Sequence, residues 1–163
     1  MNIGSVSERM VDMFEVFGEM DSYKEINVLA ENLREEEDTE SLYKLAEENG
    51  LDREGVGLFI AYQIDEFCGP IEAALGKLAM EKKEAKGWAP LAEDIAGYVE
   101  SHCEDVTFAL QVRRKGKRMQ EAVKRIRKAA VRVNVPGGGS CEFCGPMTGY
   151  RIIKEYYLEG AKE

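Results

Sequence analysis

The sequence predicts an all-α fold, a compact helical bundle of about seven or eight short helices with a C-terminal Gly/Cys-rich loop and a final helix. Three observations predict it. Apolar residues recur at helical spacing along almost the whole chain. Capping and stop residues punctuate those runs at short intervals. Strands find little support, because only Val131 to Val135 alternates with β-branched weight, and that stretch is short.

Each element follows from its residues. Met10, Met13, Phe14 and Phe17 fall at i, i+3, i+4 and i+7 and predict a first helix, interrupted by Gly18 and Asp21. Ser22 with Glu25 has capping-box spacing and opens a helix that turns Ile26, Leu29, Ala30 and Leu33 inward. The Glu35-Glu36-Glu37-Asp38 run ends it. Asp38 or Thr39 caps a third helix carrying Leu42, Leu45 and Ala46, and Asn49-Gly50 supplies its stop. Asp52 caps the next, with Val56, Phe59, Ile60, Ile64 and Phe67 on one stripe until Gly69-Pro70. Pro70 suits the first turn of a helix bearing Ile71, Ala74, Leu75 and Leu78, and Pro90 opens another with Leu91, Ile95 and Val99. Val106 to Val112 continues helically and Gly116 breaks it. A basic helix follows with Met119, Ala122, Val123, Ile126, Ala130 and Val133 inward. Pro136 to Ser140 is a flexible joint, and a last helix runs from about Met147 to Leu158.

The length fits a single helical domain, 1–163, with acidic N-terminal helices over 1–50, core helices over 51–135 and the Gly/Cys loop with its helix over 136–163. Hydrophobic residues make up 44% of the chain, enough for a core without staples. No apolar run is long enough to span a bilayer, and Glu8 and Asp12 interrupt the N-terminal apolar residues as no signal peptide would. A cytoplasmic location and no membrane partner are expected.

Charge is the most uneven property. The net charge is −9, yet residues 113–132 hold ten Lys or Arg against one acid, Glu121. The rest of the chain therefore sits at about −18, and the sequence is a charge dipole. Arg113, Arg114, Lys115, Lys117, Arg118, Lys124, Arg125, Arg127 and Lys128 are the candidate binding residues, able to face RNA or DNA phosphates while the apolar stripe stays packed. The competing reading is that they pair with the acidic helices of the same bundle. Exposed pairs are worth too little to account for the clustering by themselves.

Cys141-Glu142-Phe143-Cys144-Gly145 has the spacing of a zinc knuckle, which is half a tetrahedral site. Cys68 and Cys103 would complete a structural zinc site; the alternative is a reduced glycine-rich loop with free thiols. Gly137-Gly138-Gly139 lacks the Gly-Lys-Ser/Thr ending of a P-loop. Leu42 to Ile60 has helix-turn-helix spacing, but its second helix, opening Asp52-Arg53-Glu54, is acidic and apolar and reads as an ordinary core hairpin. The one histidine, His102, has no serine or carboxylate at a telling position, so no catalytic set emerges and an enzyme is not expected.

Three stretches carry a resemblance: Asp52 to Glu81, Ala109 to Met119 and Gly149 to Gly160. They resemble small helical accessory proteins encoded on mobile elements of Firmicutes, such as prophages and conjugative elements. The resemblance implies an accessory role and no catalytic activity. With the charge dipole it suggests two functions. One is an inhibitor that docks on a host protein or nucleoprotein complex such as a CRISPR-Cas effector, its acidic surface mimicking nucleic acid. The other is a nucleic-acid-binding accessory factor in transfer, replication or regulation of the element, working through the basic helix.

Overall fold

The computed structural model describes residues 13–85, 89–134, 140–143 and 146–160. Among them the chain is an all-α bundle of eight helices with one small two-stranded ribbon. The order is α1 (Tyr23–Glu35), α2 (Thr39–Glu48), α3 (Arg53–Ile60), α4 (Pro70–Glu84), α5 (Ala89–His102), α6 (Val106–Arg113), α7 (Met119–Ala129), β1 (Val131–Asn134), β2 (Ser140–Phe143) and α8 (Pro146–Leu158). No described helix is long and apolar enough to cross a membrane.

Two apolar clusters organise these elements. The first gathers Ile26, Ala30 and Leu33 of α1, Leu42, Leu45 and Ala46 of α2, Val56 and Phe59 of α3, then Phe67, Cys68 and Ala73. The second joins Ala74 and Leu78 of α4 to α5, α6, α7 and α8 through residues such as Ile95, Val99, Val112, Met119, Val123 and Tyr157. Helix α4 is common to both. It buries Ala73, Ala74, Gly76, Lys77, Leu78, Met80 and Glu81, which cover a broad face of the helix, while Glu72, Lys83 and Glu84 stay exposed. A helix with so broad a buried face sits centrally in the bundle, and α5 and α6 pack against it.

Several predicted boundaries hold for the expected reasons. The Asp38 carboxylate accepts the Ser41 N–H at 3.1 Å, and Asp52 accepts that of Glu54 at 3.1 Å. Gly50 takes φ +65° just after α2, where a side chain would be strained. The α2–α3 pair is the core hairpin that its apolar second helix implies, with Val56 and Phe59 buried.

Other boundaries differ. Residues 13–17 form a turn, not the end of a helix. Phe14 is at φ +63°, and the Glu48 carboxylate takes the Val16 and Phe17 N–H groups that a helix would use internally. The earlier part of that predicted helix, Met10 included, lies outside the described residues. At α1 the Ser22 side chain makes no capping bond; Glu25 instead accepts the Asp21 N–H at 2.7 Å, one residue earlier than a capping box requires. Helix α3 stops at Ile60 in a C-terminal turn with Tyr62 at φ +59° and the Gln63 N–H donating to the Leu58 carbonyl at 2.9 Å, and Arg34 of α1 packs over that turn. The guanidinium lies 3.9 Å from the Phe59 ring centroid and 4.1 Å from that of Tyr62, and its Nη1 donates to the Phe59 carbonyl. Ile64 and Phe67 therefore follow in irregular chain, although Phe67 is still buried.

The ribbon is an addition to the predicted fold. Strand β1 covers most of the alternating stretch and pairs antiparallel with β2, Val131 opposite Phe143 and Val133 opposite Cys141. The glycine run 137–139, the phosphate-loop candidate, lies outside the described residues.

Candidate functional site

The basic segment does not form one surface. Its first half, Arg113 to Arg118, ends α6 and forms the loop into α7. A strap, residues 13–21, lies across this loop. Arg118 donates from Nη1 and Nη2 to the Glu19 carboxylate at 2.6 and 2.9 Å. Lys77 Nζ of α4 stands 3.2 Å from the same carboxylate and donates to the Arg114 carbonyl at 2.8 Å. The Gly116 N–H donates to Glu19 at 3.1 Å, and the Lys115 N–H to Asp21 at 2.9 Å. These contacts join the two apolar clusters at their shared edge.

Arg113 is only 1% exposed, and so is Lys77. The Arg113 guanidinium lies 4.9 Å from the Phe14 ring centroid, and its Nη2 donates to Asn49 Oδ1 at 2.8 Å. Its Nε and Nη1 are buried without a hydrogen-bond partner. Glu81, one turn beyond Lys77, accepts the Met119 N–H at 2.8 Å and so caps the start of α7. Burial pushes the Lys77 amine downward against the pull of Glu81 and Glu19, and pushes the Glu81 carboxyl upward against Lys77 and the Met119 N–H. For Glu19, burial also favours the neutral acid. The Arg118 hydrogen bonds and the Lys77 and Arg118 charges outweigh it and hold the carboxyl below its ordinary range.

Two more cations of this half serve α8. Lys117 Nζ donates to the Tyr156 and Glu159 carbonyls at 2.6 and 3.1 Å, and Arg114 Nη1 donates to the Gly160 carbonyl at 3.0 Å. Cations at a helix C-terminus satisfy its open carbonyls and oppose its dipole. The expectation that Arg113, Arg114, Lys117 and Arg118 face a partner is thus corrected: the protein spends these side chains on itself. The Lys115 side chain remains exposed.

The second half is different. Met119, Ala122 and Val123 bury one face of α7, leaving Lys124, Arg125, Arg127 and Lys128 exposed on the other. Arg125 pairs with Glu159 at 2.5 Å and Lys124 with Glu121 at 2.9 Å, both at the surface. A groove beside them is lined by Arg125, Arg151, Lys154, Glu155, Leu158 and Glu159. Exposed Arg151 and Lys154 on α8 are cations that the candidate set omits.

The acidic pole is exposed. Residues 13–66 hold sixteen acids against four Lys or Arg. Glu31, Glu35, Glu36, Glu37 and Glu40 are all exposed on α1, α2 and their connection. Lys24 and Arg53 are the only exposed cations of that stretch.

The candidate zinc ligands are not assembled among the described residues. Cys68 belongs to one apolar cluster and Cys103 to the other. Burial pushes their thiols up to about 12 and about 11, with nearby carboxylates adding to the effect, so both stay protonated. Residues 141–143 are strand rather than the turn of a knuckle, and Cys144 lies outside the described residues. No group of three or more His, Cys, Asp or Glu among the described residues is placed to hold a metal ion. His102 Nδ1 lies 2.8 Å from the Tyr98 carbonyl and 3.0 Å from Ser101 Oγ, within its own helix turn.

Comparison with protein-family models, curated proteins and solved structures finds no match to this chain.

Proposed function

We propose that the chain is a cytoplasmic binding protein of a mobile element that inhibits a host nucleoprotein complex, such as a CRISPR-Cas effector, without catalysing a reaction. The observation that carries this reading is the unequal fate of the two charge poles. Four of the basic side chains bond within the molecule, whereas Glu31, Glu35, Glu36, Glu37 and Glu40 of α1, α2 and their connection are left in solvent. An array of exposed carboxylates offers a basic nucleic-acid channel the charge it is built to hold.

The test adds purified chain to a guide-loaded effector nuclease and follows target cleavage. Wild-type protein is expected to suppress cleavage at low salt. Replacing Glu31, Glu35, Glu36, Glu37 and Glu40 by Gln should weaken suppression at least about tenfold through slower association. Full potency in that variant would defeat the proposal.

A second reading rests on the exposed α7 face. Lys124, Arg125, Arg127 and Lys128 suit RNA or DNA phosphates and would serve an accessory factor of the element. Here the free nucleic acid itself is the ligand. Micromolar binding with a steep salt slope, lost on neutralising those four residues, favours this reading; no binding favours the inhibitor.

A further inference from the structure

We propose that the Arg114–Arg118 loop, together with Lys77, is a binding site for a phosphomonoester, held closed by Glu19 and Asp21 of the strap acting as built-in ligands. The donors already converge on oxygen acceptors. Two successive backbone N–H groups, of Lys115 and Gly116, meet the two carboxylates, and Gly116 at φ +84° permits that turn. Consecutive N–H groups aimed at one concavity form an anion nest. The Arg118 fork and the buried Lys77 ammonium add charge from two sides. This is the equipment of a phosphate site, filled here by carboxylates of the same chain.

Lys77 and Arg118 meet the Glu19 carboxylate from two sides, and Asp21 supplies the second acid of the strap. A phosphomonoester brings in one group the two negative charges that the strap supplies from two side chains. The strap is anchored at its start, where Phe14 is buried and Glu48 holds the Val16 and Phe17 N–H groups, so only its irregular 18–21 end has to yield. Its carboxylate contacts can be replaced one for one by phosphate oxygens. Because that end must leave first, the wild-type affinity is lowered by the fraction of closed molecules. This site stands apart from the acidic face and does not depend on the function proposed above.

Inorganic phosphate is the probe. Titrated into the isotope-labelled full chain at constant ionic strength, it should shift the Lys115 and Gly116 amide resonances and speed hydrogen exchange in residues 18–21. Acetate under the same conditions should do neither. A Glu19→Gln, Asp21→Asn variant should bind phosphate at least about tenfold more tightly than the wild type. Adding Arg118→Gln should remove that gain. Unmoved Lys115 and Gly116 resonances up to about 50 mM phosphate overturn the proposal. So do equal shifts with acetate, or a folded double variant with wild-type affinity. If the double variant does not fold, the wild-type titration decides alone.

Discussion

Glu19 shows how one carboxylate acquires weight from its surroundings. On the surface it would gain a few tenths of a kcal/mol from a lysine. Here it touches Lys77, which has almost no access to water, and holds both arms of the Arg118 guanidinium. Removing it leaves a buried ammonium without its nearest counter-charge, so Glu19→Gln should cost about 3 kcal/mol at neutral pH. The pH dependence follows from the direction of its shift. Its folded-state pKa lies below the ordinary 4.5, so the native state binds this proton less readily than the unfolded chain. The stability it contributes is present above 4.5 and is lost as pH falls through the folded value. Urea midpoints measured from about pH 6 to about pH 3 should fall more steeply for the wild type than for Glu19→Gln. Parallel curves would mean that the carboxylate contributes no acid-sensitive stability. Nothing in the sequence singles out this residue, since its partners lie 58 and 99 positions away. Lys77 and Glu81, four apart on one helix, have the spacing of a solvated surface pair and become interior only because the strap, the Arg114–Arg118 loop and the start of α7 close over that face of α4.

At the scale of elements, local signals are legible in proportion to how local their physics is. Asp38, Asp52 and Gly50 act within their own turns and stand where their residue types predict. The stripe through Phe14 and Phe17 has equally good spacing but fails, because Glu48 and Arg113 draw that segment onto the bundle from elsewhere in the chain. Likewise Ile64 and Phe67 match the period of α3, yet that helix ends in a left-handed turn at Tyr62 onto which Arg34 of another element packs. The basic segment is legible as a helix and a loop but not as two halves with different duties. That division depends on where the end of α8 arrives. The close crossing of α2's C-terminal end with α4 is a further long-range feature. A Cβ on Gly76 would lie 2.1 Å from the Asn49 carbonyl oxygen, and one on Gly50 would lie 2.2 Å from the Gly76 oxygen. Backbone cannot yield as a side-chain tip can, so Gly76→Ala should lose about 3 kcal/mol. Gly97 in α5 has nothing within 4 Å of its Cβ position, and Gly97→Ala should gain up to about 1 kcal/mol from helix propensity. Thermal melts of the two variants should move in opposite directions; a common direction would remove the crossing as the cause.

For the whole molecule, the division of charge sets the response to salt. The hub of Lys77, Glu81, Glu19 and Arg113 is shielded from mobile ions, whereas Glu31, Glu35, Glu36, Glu37 and Glu40 on the face of α1, α2 and their connection stand in water. Like charges crowded on that face repel one another in the native state and separate on unfolding. Salt should therefore stabilise this protein, the reverse of what surface ion pairs would give. Raising sodium chloride from about 20 mM to about 300 mM shortens the screening length from roughly 20 Å to below 10 Å, within the spacing of neighbouring acids on those helices. The melting temperature should rise by about 2–4 °C, corresponding to roughly 1 kcal/mol for a domain of this size. A Glu36→Gln, Glu37→Gln variant should match that gain at low salt and respond less to added salt, since the repulsion has already been relieved. The control is Lys124→Gln, Arg127→Gln on the exposed face of α7. It makes the chain more acidic and should leave the salt response as large or larger. A wild-type melting temperature that falls with salt would place the governing electrostatics in exposed pairs such as Arg125–Glu159. The acidic face would then carry no stored repulsion for a cationic partner to relieve.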